Sequence, residues 1–117
     1  MKLLAKILTG FVALEHIFFL IVEMFLWQRP IGMGMFNLTP EFAAETVHFA
    51  QNQGLYNGFL AAGLIWALMA GKRDVRIFFL LCVIVAGIFG AITVSPTILV
   101  AQAVPAILAL IFTLLKR

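Results

Sequence analysis

Charge is scarce in this sequence, and cysteine is scarcer still. Asp, Glu, Lys and Arg make up 11% of its 117 residues, where a soluble domain carries about 25%. That deficit excludes an ordinary soluble domain. The single cysteine, Cys82, excludes an internal disulfide; it lies within an apolar run and reads as a structural thiol facing lipid or a neighbouring helix. No phosphate-binding loop, nucleophile elbow or haem motif occurs, so no cofactor is expected, and no nucleic-acid partner either. A cleavable leader is not expected: Lys2 and Lys6 precede apolar residues, but Glu15 and His16 interrupt them and no small-x-small site follows.

What is abundant is apolar. Hydrophobic residues reach 64%, mean hydropathy is +1.13, and apolar runs of about 20 residues recur, the length that crosses a bilayer core. In lipid the backbone must satisfy its own hydrogen bonds, and these runs are too long for barrel strands. The expectation is an all-α integral membrane four-helix bundle, a single domain over 1–117 with spans of about 3–27, 48–70, 77–94 and 98–115. Pro30 ends the first helix. The stretch 30–38 reads as an apolar loop, bendable at Gly32 and Gly34, that either dips into the interface or covers a pocket through Met33, Met35 and Phe36. Thr39-Pro40-Glu41 starts a helix: a hydroxyl cap, proline in the first turn, then an acid. That second helix runs to about Ala70, roughly 46 Å, and protrudes on the outer side. Pro105 is expected to kink the last helix, with Gln102 near the freed carbonyl.

Seven of the eight basic residues, namely Lys2, Lys6, Lys72, Arg73, Arg76, Lys116 and Arg117, fall on one side of this topology, and Arg29 on the other. Both termini are therefore expected to be cytoplasmic, and the protein a multi-pass component of the bacterial inner membrane. Trp27 suits the outer interface and Trp66 the inner one. Gly54, Gly58 and Ala62, Ala86 with Gly90, and Gly87 with Ala91 recur at spacings that bring helices close; such faces serve the bundle or a homodimer.

The first span carries Glu15, His16 and Glu23, and ionisable groups in hydrocarbon mark function by default. At 100° per residue His16, Leu20, Glu23 and Trp27 share a face, with Glu15 on its flank. The second helix has a stripe of Glu41, Glu45, His48, Asn52 and Tyr56, with Gln53 and Asn57 beside it. Amides are costly in lipid, so Asn52, Gln53 and Asn57 should face inward. Glu23 and Asn52 lie at similar depth. The residues predict an outer-facing polar pocket of Glu15, His16, Glu23, Trp27, His48, Asn52, Gln53, Tyr56 and Asn57. No metal is expected; the residual candidate is one zinc held by Glu23, Glu45 and His48, since Glu45 and His48 have Glu-x-x-His spacing in one copy only.

The Glu-His pair and later Glu of the first helix, followed by Asn-Gln-Gly-Leu-Tyr-Asn-Gly-Phe-Leu-Ala from Asn52, resemble the domain of unknown function 1304 family of small bacterial membrane proteins. The resemblance covers essentially the whole chain. It implies a four-span fold and no established activity. A more distant likeness to DoxX-type four-helix membrane proteins rests on no single motif. Three functions compete. One is binding or transport of a small amphiphilic or cationic molecule. Another is an intramembrane acid/base enzyme, isomerase-like, on a lipid-like substrate. The third is a structural or partner-binding subunit whose polar cluster is packing.

Overall fold

Thr39, Pro40 and Glu41 do start the longest helix. Thr39 Oγ1 accepts the Phe42 amide at 3.1 Å, which satisfies a donor the helix itself leaves free. The computed structural model describes residues 2–115, and its elements are α1 Lys2–Phe25, α2 Pro30–Phe36, α3 Pro40–Ala70, α4 Arg73–Thr93, α5 Pro96–Ile98, a π-helical turn Leu99–Ala103 and α6 Val104–Leu115. The protein is all-α, with no strand among the described residues. Lys116 and Arg117, the expected basic end of the last span, lie outside the described residues. Gly71 ends α3 in the left-handed region, at φ +65°, and the Lys72 amide returns to Ala67 O at 3.0 Å, a glycine-dependent stop.

Two expectations are corrected. The stretch after Pro30 is a helix, α2, not a loop. Proline is pre-set for the first helical turn, so it starts a helix as readily as it ends one. Gly32 is needed for close approach, because a Cβ there would collide with the backbone of Leu26 and Trp27. Asn37 closes α2 at φ 56°, a conformation asparagine tolerates, and the Leu38 amide returns to Met33 O at 2.9 Å. The irregularity at Pro105 takes the form of the π turn just before it. That turn brings Gln102 Nε2 to Val83 O of α4 at 3.2 Å, not to a carbonyl released by the proline. A π turn adds a residue to the winding and so shifts the faces of what precedes it.

The chain forms two compact units, one of Met1–Glu15 with Leu60–Arg117 and one of His16–Phe59. In the first, Val12 and Ala13 of α1, Leu64 of α3, Leu80 and Val83 of α4, and Ala106 and Ala109 of α6 make the core. Small residues set its spacing. Phe79 covers Gly63, and a Cβ at Gly87 would lie 2.9 Å from the Ala103 Cβ. In the second unit a Cβ at Gly54 would lie 2.6 Å from Met24 Cγ, and one at Gly58 2.6 Å from Leu20 Cδ1. The Gly54 and Gly58 face is therefore taken by α1, and Gly87 by the π turn.

Outside these contacts the surface is strongly apolar. Phe49 is 78% exposed, Met69 83% and Ile92 78%. Among the described residues two helices, Lys2–Phe25 and Arg73–Thr93, are long and apolar enough to cross a membrane, and Val100–Leu115 is apolar but shorter. At 31 residues α3 has ample length, but its polar run from Gln51 to Asn57 dilutes its hydropathy.

Candidate functional site

The site grows from two helical stripes in the unit His16–Phe59. On α1 the buried positions of this unit include His16 and Glu23, seven residues apart, which is one face of a helix. On α3 they are Ala43, Ala50, Gly54 and Asn57, spaced by seven, four and three. Glycine at 54 lets α1 approach. Asn57, one turn further, then meets Glu23: its Nδ2 donates to Glu23 Oε1 at 2.6 Å. Glu23 is 8% exposed and Asn57 6%. A hydrogen bond to a buried carboxylate is among the stronger kinds, and here its donor is a neutral amide. Among the described residues no ion pair to Glu23 is formed.

A second cluster lies at the turn between α1 and α2. Trp27 Nε1 donates to Thr46 Oγ1 at 3.0 Å, and Thr46 Oγ1 donates to Phe42 O at 2.7 Å. The Trp27 ring packs on Phe36 with centroids 5.0 Å apart. Trp27 is thus fixed by protein groups on α2 and α3. Thr46 was not among the expected residues. Its signal was its position: it lies seven residues after the capping Thr39, on the side of α3 that meets this turn.

The remaining expected residues do not join Glu23. Asn52 and Gln53 are exposed, and Tyr56 is 52% exposed with its ring against Phe59 at 5.6 Å. His48 is exposed, its Nδ1 lying 3.1 Å from Gln51 Oε1. The physical reason is register. Ala50, Gly54, Asn57 and Ala61 occupy the packed side of α3 because only small residues fit there, and 52, 53 and 56 project elsewhere. The inward placement expected for Asn52 and Gln53 is corrected accordingly, and so is the pairing of Glu23 with Asn52. His16 is fully buried, edge-to-face with Phe19 at 5.5 Å. Glu15 belongs to the other unit, and its Oε1 is buried with no hydrogen-bond partner among the described residues.

Among the described residues, one recess of about 530 Å³ lies beside Ile65, Trp66 and Met69 and another of the same volume among Lys2, Lys6, Arg73 and Arg76. Neither is lined by a residue of the expected pocket. Among the described residues no group of three His, Cys, Asp or Glu could hold a metal, so the Glu23, Glu45 and His48 zinc set is not assembled.

Comparison with known proteins relates the chain to a family. Residues 10–114 match the model of the family described as protein of unknown function (DUF1304). The chain is also similar to the uncharacterised protein YpaA of Lactococcus lactis subsp. lactis (strain IL1403). The two are 32% identical over 95% of this chain and 97% of that protein. No solved structure matches.

Proposed function

The chain belongs to the DUF1304 family, and from that premise we propose that it is a multi-pass membrane protein whose Glu23–Asn57 pair binds the cationic head of a small amphiphilic molecule. One observation carries this reading. A carboxyl group is buried in an apolar molecule, and the partner that holds it is a neutral amide. A charge in a low-dielectric setting calls for a counter-charge, and a ligand cation supplies it. The many large apolar side chains left exposed, Phe49, Met69 and Ile92 among them, support membrane residence, since lipid covers such groups at no cost.

In this reading four spans form a bundle in the bacterial cytoplasmic membrane. α1, the later part of α3, α4, and α6 with its preceding turns are the spans. The basic residues keep both termini inside, and α2 with the start of α3 stands on the outer side. Phe25 and Phe59, both more than half exposed, offer apolar surface to the tail of an amphiphile. The acid/base enzyme is less well supported, because Glu23 pairs with an amide and not with an imidazole.

The test is equilibrium binding of radiolabelled tetraphenylphosphonium, a lipophilic cation, to the full chain in nanodiscs. Saturable binding that is lost in Glu23→Gln and weakened in Asn57→Ala supports the proposal. Binding that survives Glu23→Gln unchanged, or no saturable binding in wild type, overturns it.

A further inference from the structure

The second recess has a chemistry of its own, far from neutral. Lys2 and Lys6 come from the first turns of α1, Arg73 and Arg76 from the first turn of α4, and Ala5, Gly71, Thr113 and Leu114 complete the wall. Two separate parts of the chain thus bring four cations to one volume of about 530 Å³, which the end of α6 closes. Among the described residues no carboxylate lines it. The nearest acid in sequence, Asp74, does not line the recess; its Oδ1 accepts the Val75 amide at 2.8 Å. All of these residues lie in one compact unit.

Basic residues that merely flank a membrane span splay into water, where each is solvated. Here two of the four are tied down or covered. Arg73 Nη2 donates to Thr113 O at 3.3 Å, which aims its guanidinium across the end of α6. Arg76 Nε and Nη1 are buried, and among the described residues neither has a hydrogen-bond partner. Buried donors of this strength are costly unless paired. Like charges held together repel as well. Both costs vanish when an anion with several acceptor oxygens enters. A guanidinium fork matches tetrahedral oxyanions in two-point fashion, and lysine ammonium groups add compact charge around it. The N-terminus of α4, which is 21 residues long, contributes its partial positive charge to the same place.

We infer that the recess formed by Lys2, Lys6, Arg73 and Arg76 is a binding site for a phosphate-bearing anion. Two sources present that chemistry: the headgroup of an acidic phospholipid, and a free phosphate compound. Basic pockets beside the cytoplasmic ends of spans take up acidic headgroups in this way. The site is separate from Glu23 and Asn57, so it stands or falls independently of the cation-binding proposal.

The experiment uses the full chain in dodecyl maltoside micelles, followed by thermal unfolding and native mass spectrometry. Phosphatidylglycerol, phosphatidylcholine and sodium pyrophosphate are titrated separately into wild type, Arg76→Gln, Lys6→Gln and Lys72→Gln. Lys6 and Lys72 are exposed, so those variants fold even where Arg76→Gln does not, and Lys72 does not line the recess. The expected result is saturable binding of phosphatidylglycerol, pyrophosphate or both. Affinity falls about tenfold on losing a charge-assisted contact, in Lys6→Gln and in Arg76→Gln where it folds, and is unchanged in Lys72→Gln. Binding of the lipid alone identifies a headgroup site; binding of pyrophosphate alone identifies a free phosphate compound. The inference is overturned if neither binds saturably, if phosphatidylcholine binds as well as phosphatidylglycerol, or if Lys6→Gln weakens binding no more than Lys72→Gln.

Discussion

Removing the amide at position 57 should expose how the Glu23 carboxyl is held. Asn57 Nδ2 lies 2.6 Å from Glu23 Oε1, with both residues under a tenth exposed. A hydrogen bond to a charged group contributes about 1.5–3 kcal/mol, whereas a neutral interhelical bond in a membrane is worth about 0.6 kcal/mol on average. Asn57→Ala also gains about 0.5 kcal/mol of helix propensity. The net destabilisation expected for Asn57→Ala is therefore about 1–2.5 kcal/mol. In a Glu23→Gln background the bond that is lost is neutral, and the same substitution should cost close to nothing. The coupling across the cycle is then about 1–2.5 kcal/mol. It is read from reversible unfolding of the four proteins in mixed micelles, with dodecyl sulfate mole fraction as the denaturant. A coupling below about 0.3 kcal/mol, the level at which independent sites add, would refute the claim that Asn57 holds an ionised carboxyl.

Three further outcomes follow from the packing and the hydrogen bonds. Gly54→Ala places a Cβ 2.6 Å from Met24 Cγ and 3.1 Å from Glu23 Cβ, so it should destabilise by about 1–3 kcal/mol. Gly34→Ala meets nothing within 4 Å and should stabilise by up to about 1 kcal/mol; equal effects in the same unfolding assay would contradict the packing described. Thr46→Val removes the acceptor of Trp27 Nε1 and should cost about 1 kcal/mol. In a Trp66→Phe background it should also shift the emission of the remaining tryptophan, and an unchanged spectrum with unchanged stability would show that the bond is not made. Gln102→Leu, which breaks the link to Val83 O, should cost about 0.5–1.5 kcal/mol and speed amide exchange around the π turn; unaltered exchange there would show that the link does not hold the turn.

Local chemistry was the legible part of this protein. The cap at Thr39 and the stop at Gly71 are written in single residues, because a hydroxyl or a glycine acts within one turn of its own position. The α1 face of His16 and Glu23 was also readable from spacing alone. Position 30 was misread because proline has two opposite meanings at a helix boundary, and only the partners of Gly32 decide between them. The partner of Glu23 was not readable at all. Depth favoured Asn52, yet the amide that reaches Glu23 lies five residues further on, about 7.5 Å along the helix. Which amide faces α1 is decided by where small residues permit contact, and Asn57 shares the side of Gly54 whereas Asn52 does not. The basic recess shows the same limit. Its four cations were legible as a bias in charge, but their convergence depends on how α1, α4 and α6 pack.

The central claim is that Glu23 and Asn57 form a binding site and not merely a packing contact. Thermal unfolding of wild type and Glu23→Gln in detergent, with and without saturating tetraphenylphosphonium, tests it most directly. A site maintained for a ligand predicts that Glu23→Gln is at least as stable as wild type when alone and that the cation raises the midpoint of wild type only. If Glu23→Gln unfolds far more easily and the cation moves neither protein, the pair is structural and the proposed function is wrong.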